Sequence, residues 1–208
     1  MSERSGLWSV LANPIVYEAF HTLIGARRWM RRFADETIGA RAGERVLDIG
    51  CGPAALLRYL PNVTYIGLDR NEADIAQARR TYGERGCFIC DDVGSFAGHA
   101  LTPVDVAVAI GLLHHLDDGL ALQLLRSAAA TLKPGGRLIT ADPCYHGAQS
   151  AIQRFVVSHD RGMHVRRFER YVELCGAVLP QPKARFEHGH VPFPYSICIV
   201  EAAAPGGP

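Results

Sequence analysis

The stretch Val46 to Ala55, read as Val-Leu-Asp-Ile-Gly-Cys-Gly-Pro-Ala-Ala, limits what this chain can become more than any other. An apolar, strand-forming run leads straight into two closely spaced glycines and then into a helix start near Ala54. Glycine lets the backbone turn sharply and come close to a ligand, so strand, glycine turn and helix together open a nucleotide-binding α/β sheet. One carboxylate, Asp48, stands inside the apolar run, two residues before Gly50. A buried charge without a partner is costly, so Asp48 is expected to have a specific task.

The surrounding pattern repeats this unit. Arg45 to Ile49 is the first strand and Ala54 to Leu60 the first crossover helix. Thr64 to Leu68 is the second strand, ending at Asp69, and Glu72 to Tyr82 the second helix, with its exit at Gly83 to Gly86. Cys87 to Cys90 is a short third strand before Asp91-Asp92. Val104 to Ile110 is apolar at every position but Asp105, the mark of a parallel strand covered on both faces. Leu120 to Leu132 has helical periodicity and stops at Lys133-Pro134-Gly135-Gly136; Arg137 to Ala141 is the fifth strand. Alternating strands and helices predict a doubly wound, mostly parallel sheet with helices on both faces. Further on, Gly147 to Val157 and Arg166 to Leu179 read as helical, and Arg185 to His188 and Tyr195 to Ala203 as closing strands.

Before the first strand, Asn13-Pro14 opens a helical stretch in which Tyr17, Phe20, Leu23, Ile24, Trp29, Met30 and Phe33 recur at helical spacing. Arg27, Arg28, Arg31 and Arg32 lie among them and read as a solvated face, or alternatively as a lid that meets an anionic substrate. The organisation expected is a helical cap over 1–42, a ligand-binding domain over 43–203 and a disordered tail over 204–208.

Composition narrows the function classes. The 208 residues are 48% hydrophobic, enough for a sizeable core, and carry a net charge of +1, which gives no bulk attraction to nucleic acid or an anionic membrane. No apolar run approaches the roughly 20 residues of a spanning helix, and Met1 to Asn13 lacks the pattern of a signal peptide, so a cytoplasmic location is expected. The six cysteines are scattered, and the lone Cys87/Cys90 pair reads as ordinary strand cysteines.

Two ligands compete for the glycine turn. Gly50, Gly52 and Ala55 fit G-x-G-x-x-A, with Asp69 about 20 residues on, where a dinucleotide site places its ribose-binding acid. Against a dinucleotide stand Asp48 in the strand, Pro53 removing an N–H where a pyrophosphate would need donors, and the further acids Asp91 and Asp92. A site ringed with carboxylates suits a ligand with hydroxyls and positive charge.

At this point the chain resembles the class I S-adenosylmethionine-dependent methyltransferases. The likeness rests on Val46 to Pro53, Gly67-Leu68-Asp69, Asp91-Asp92-Val93, Ile110-Gly111-Leu112-Leu113-His114-His115-Leu116 and Leu132 to Leu138, five blocks in the family's order over roughly residues 45 to 141. The family's third glycine is Ala54 here. The resemblance implies a Rossmann-like seven-stranded sheet, six strands parallel and the last antiparallel, and S-adenosylmethionine as cofactor. It places Asp48, Gly50, Cys51 and Gly52 toward the methionine end, and Asp69, followed by Arg70, at the ribose hydroxyls. Asp92, with Asp91 as its rival, and Val93 fall at the adenine, and Ile110 and Gly111 beside the methionine.

The chemistry then requires alignment of a nucleophile and, for a hydroxyl or amine acceptor, a base. His115 is the first candidate and His114 the second, with a purely structural role as the alternative for both. Asp142 and His146 follow the fifth strand, but their spacing matches no ligand motif, and no metal is assigned. The acceptor pocket is expected from Tyr17, His21, Tyr145, His146, Arg161 and Arg166, with Phe193 and Tyr195 as further walls. Arg161, His164, Arg166 and Arg167 could clamp an anionic group, or simply be solvated at a helix start. The expected activity is methyl transfer to a small-molecule acceptor by direct in-line displacement. A non-catalytic subunit that binds the same nucleoside is the alternative, and a nicotinamide oxidoreductase ranks third.

Overall fold

The computed structural model describes residues 26–92, 103–160, 162–188 and 195–206. Helix α1 (Ala26–Arg32) runs on as a wider turn over Phe33–Ile38, closed by Gly39 in the left-handed conformation at φ 53°. The sheet is built from β1 (Arg45–Ile49), β2 (Thr64–Asp69), β3 (Gly86–Cys90), β4 (Val104–Ile110), β5 (Leu132–Tyr145), β7 (Lys183–His188) and β8 (Ser196–Ala203). The two-residue β6 (Arg166–Arg167) pairs with the far end of β5. The remaining helices are α2 (Glu72–Tyr82), α3 (Asp118–Ala130), α4 (Ala151–Ser158) and α5 (Phe168–Gly176).

Strand order is β3-β2-β1-β4-β5-β8-β7. The pairs from β3 to β5 are parallel, and β8 runs antiparallel to both β5 and β7. Six strands of the main path therefore share one direction and the last opposes them, as expected. Alternation along β1 sends Leu47 and Ile49 to the face covered by α3 and α5, where they pack with Leu124, Tyr171 and Leu174. Val46 faces the other way, into a core with Phe33, Ile38, Leu57, Tyr65 and Ile75. Asp48 is in phase with Val46 and points to that second face.

Several boundaries differ from the sequence reading. The first crossover is only a tight five-residue turn over Ala55–Tyr59; Pro61 disfavours helix at the residue before it. Helix α3 starts earlier than Leu120 because Asp117 accepts the Leu120 N–H and caps it. Helix α4 begins at Ala151 rather than Gly147, fixed by a capping box in which Ser150 and Gln153 bond each other's backbone. Arg166 and Arg167 form the β6 bridge beside Cys144 and Tyr145 instead of opening a helix. Past β8, Ala204 donates to Gly136 and Pro205 accepts from Gly135, so the start of the expected disordered tail is tied to β5.

The described part of the N-terminal segment packs on the sheet. Phe33 and Ile38 are buried, Trp29 stacks on Phe33 and bonds Glu187, and Arg185 reaches the Thr37 hydroxyl at 2.6 Å. Arg27, Arg28, Arg31 and Arg32 are exposed, with Arg31 over the Tyr59 ring.

Candidate active site

The strand order reverses between β1 and β4: from β1 the chain winds one way through β2 and β3, then returns to β4 and β5. The carboxyl ends of β1 and β4 therefore flank a crevice, the position where ligands bind in open α/β sheets. Gly50, Gly52 and Gly111 edge it in left-handed conformations, at φ 74°, 51° and 63°. Ala54 shares that conformation at φ 59° while its methyl is fully buried, so it bears the strain its glycine counterpart would avoid.

The turn is fastened to β2. The Gly50 and Cys51 N–H groups both donate to the Leu68 carbonyl, and the Gly52 N–H donates to Asp69 Oδ2 at 2.8 Å. The other Asp69 oxygen accepts the Asn71 N–H at 2.8 Å, and Asn71 caps α2. Backbone donors thus orient the Asp69 carboxylate, and each of its oxygens keeps accepting capacity for hydroxyls. Cys51 is buried under the turn, Arg70 is exposed just past β2, and Ile110 is half-buried at the end of β4. The Asp91 N–H donates to the Asp69 carbonyl and the Asp92 N–H to the Asp91 side chain. Val93 lies outside the described residues.

Asp48 is 4% exposed, and among the described residues the side chain that bonds it is Tyr65, whose hydroxyl donates to Oδ2 at 2.6 Å. Burial pushes the carboxyl up to about 7, against the stabilising Tyr65 bond and with a further push from the Asp69 charge. Tyr65 was not foreseen as a site residue. Its ring crosses Gly67 to reach Asp48: a Cβ at Gly67 would stand 3.0 Å from the ring and 2.9 Å from Cys51 Sγ. The only sequence signal is the glycine between two bulky residues in an apolar strand.

Beyond β4 the structure gathers residues from four segments. His114 is buried, with Nδ1 2.8 Å from Asp142 Oδ1 at the end of β5 and Nε2 3.2 Å from Asp160 Oδ1 after α4. The Tyr195 hydroxyl bonds the other Asp160 oxygen, and the Gly162 N–H donates to Oδ1. The His114 carbonyl accepts the His164 N–H. Burial alone would lower the His114 pKa, but the two carboxylates overcome it and lift it to about 9. Burial opposes ionisation of Asp160 too, yet His114, Tyr195 and the Gly162 amide hold it down at about 2. His115 is open to solvent on one side, with its ring 4.0 Å from that of His114. Partial burial, then the His114 charge, lower its pKa. Asp160 and Tyr195 were not assigned to this cluster from sequence, since nothing local pairs them with His114.

The expected acceptor residues scatter. Tyr17, His21, Arg161 and Phe193 lie outside the described residues. Arg166 is corrected: it is buried and its guanidinium is engaged, with Nε on Asp118, Nη1 on the Leu113 and His164 carbonyls and Nη2 on the Leu116 carbonyl. It braces the turn carrying the histidines and has no freedom to clamp an acceptor. His146 is buried, bonds Ser196 through Nε2 and stacks on Phe186, so it does not converge with Asp142 and His114. Among the described residues no group of three or more metal-ligating side chains is placed to hold an ion. Tyr145 and His146, with Gly147, Arg154, Arg167 and Glu169, line a cleft of about 380 Å³ beyond the end of β5.

Comparison with known proteins accords with this geometry. A family model described as a methyltransferase domain matches residues 21–193. The methyltransferase GfsG of Streptomyces halstedii is 34% identical over 156 residues, 68% of this chain and 55% of that protein. The 27-O-demethylrifamycin SV methyltransferase of Amycolatopsis mediterranei (strain S699) is 34% identical over 110 residues, 49% of this chain and 39% of that protein. The chain thus spans about half the length of these relatives. Among solved structures, the S-adenosylmethionine-dependent methyltransferase SibL in its apo form superposes with a TM-score of 0.70 at 20% identity, covering 99% of this chain and 64% of that one. Among the described residues no helix is long and apolar enough to cross a membrane.

Proposed function

This chain belongs to the class I S-adenosylmethionine-dependent methyltransferases, and from that premise we propose that it transfers a methyl group directly to a small-molecule acceptor. The observation that carries the proposal is the Asp69 carboxylate, fixed by the Gly52 and Asn71 amides beside two left-handed glycines at the sheet's switch point. When bound, the cofactor supplies an activated methyl group on a sulfonium. Asp69 accepts from the ribose hydroxyls, and Asp48 sets a buried carboxyl beneath the methionine end. Gly50, Cys51 and Gly52 floor that end; Ile110 and Gly111 flank it. Arg70 borders the ribose, and Asp92 with Val93 meets the adenine. His115 and His114 stand at the acceptor side of the crevice.

The acceptor proposed is a small molecule with an anionic group. The support is the cleft beside β5, whose described lining has two arginines, Arg154 and Arg167, against one carboxylate, Glu169, together with Tyr145 and His146. The Amycolatopsis relative, by its name, acts on a small molecule.

Isothermal titration calorimetry tests the cofactor assignment. S-adenosylmethionine and S-adenosylhomocysteine should bind and NAD should not. Asp69→Ala should weaken binding at least about tenfold, as loss of hydrogen bonds to a charged group worth about 1.5–3 kcal/mol implies. Binding of NAD instead, or unchanged affinity in the variant, refutes it.

A further inference from the structure

We propose that the two adjacent histidines divide the work: His114 is a positioning residue locked as an imidazolium between Asp142 and Asp160, and His115 is kept neutral to take a proton. The base role of His115 rests on the methyl-transfer reading above. The charge states of the pair do not.

A neutral imidazole has one N–H and one lone pair. His114 presents both ring nitrogens to carboxylate oxygens, Nδ1 to Asp142 at 2.8 Å and Nε2 to Asp160 at 3.2 Å. In the neutral ring one lone pair would therefore face an acceptor. Protonating Asp160 instead is disfavoured by its other donors. Asp160 also receives the Tyr195 hydroxyl and the Gly162 amide, and Asp142 Oδ1 also receives the His114 amide. Both protons belong on the ring, and such a ring has no lone pair with which to act as a base.

The same clamp fixes the ring's place. Gly162 packs so tightly on it that a Cβ there would stand 2.0 Å from His114 Cδ2. His115 lies against this fixed cation. Among the described residues the charged groups that act on it are His114 from its own turn, Asp142 from β5, Asp160 from the segment after α4 and Arg70 from the end of β2. Partial burial above all, then the His114 charge and last Arg70, disfavour a second positive charge. The two aspartates favour one, but each already faces a nitrogen of His114. The balance leaves His115 with a free lone pair at neutral pH. For a hydroxyl acceptor, the O–H proton passes to that nitrogen as the oxygen forms its bond to the methyl carbon. The carbon–sulfur electrons stay on sulfur, and the His115 imidazolium returns its proton to water.

Asp160 thereby acts at a distance. It holds the His114 charge by direct contact, and it acts on His115 both through that charge and through its own. The test is a ¹H–¹⁵N NMR titration of the histidine rings in the whole, ligand-free protein from pH 5 to 9.5, with His115→Gln to assign signals. In wild type, His114 should show two protonated nitrogens through pH 8, and His115 should titrate below 6.5. In Asp160→Asn the His114 midpoint should fall by at least one pH unit, and that of His115 should fall as well, because His114 is still charged where His115 titrates and the Asp160 charge that favours its protonation is gone. A single neutral His114 tautomer at pH 7, a His115 midpoint above 6.5, or an Asp160→Asn protein in which His115 does not move would each overturn the proposal. The wild-type titration decides the charge states even if the variant does not fold. A failure here leaves the calorimetric test of cofactor binding untouched, and the reverse holds.

Discussion

Replacing Asp48 by asparagine should stabilise the ligand-free protein, increasingly so as pH rises. The carboxyl is buried at 4% exposure, and its pKa is lifted from 3.8 to about 7. Between those values the folded chain keeps a proton that the unfolded chain has released, so stability falls with rising pH across the window and levels off above 7. At about 1.4 kcal/mol per pH unit the full penalty is about 4 kcal/mol, and the part that falls between pH 5 and pH 8 is about 3 kcal/mol. Asparagine cannot ionise, and its amide oxygen can still accept the Tyr65 hydroxyl, so the variant escapes this penalty. Urea unfolding followed by circular dichroism at pH 5 and pH 8 reads the effect. The stability difference between variant and wild type should grow by about 3 kcal/mol between the two conditions, whatever constant offset the amide introduces. A difference that is flat with pH would mean that Asp48 is ionised in the fold at all these pH values, and the burial argument would fail. Under the proposed function the same variant binds S-adenosylmethionine more weakly, so stability and affinity should move in opposite directions.

Two other substitutions test the bracing around the histidines. Arg166→Met removes a buried guanidinium that joins Asp118 to three carbonyls; unfolding free energy should drop by about 3 kcal/mol, with cofactor affinity of the folded protein unchanged. A drop below about 1 kcal/mol would undo the bracing role. Gly162→Ala forces a methyl against the His114 ring and carbonyl; it should cost about 1–3 kcal/mol in the same urea assay, and an unchanged midpoint would show that the segment gives way freely.

The sheet was legible because its signals are local. Val104 to Ile110 is apolar at every position but Asp105, and Asp105 is accounted for by Lys133 at 2.7 Å and the Arg45 amide. Asp69 closes β2 and Asp91 follows β3, so both acids stand at neighbouring strand ends, which strand length alone predicts. What stayed hidden depends on which strands lie side by side. Tyr65 reads as core until β2 is set beside β1 and Gly67 opens a path to Asp48. Asp160 is one of many acids until the chain beyond α4 returns to β4, 46 residues away from His114. The arginines show the limit most clearly. Their charge suggested anion binding, yet Arg166 is spent on backbone carbonyls, and only the folded arrangement separates it from Arg154 and Arg167 at the cleft.

The placement of β8 between β5 and β7 has a consequence for the nascent chain. Synthesis at about 5–20 residues per second delivers β1 to β5 early, and the parallel half can assemble while translation continues. Strand β5 then presents an open hydrogen-bonding edge, the kind that recruits foreign strands, until residues 196–203 emerge and slot in. Tyr195, at the threshold of that strand, completes the grip on Asp160 in the same event. The nucleotide-facing half of the crevice can therefore mature ahead of the histidine clamp, and a ribosome stalled before residue 195 leaves a sheet edge bare and His114 without its full set of partners.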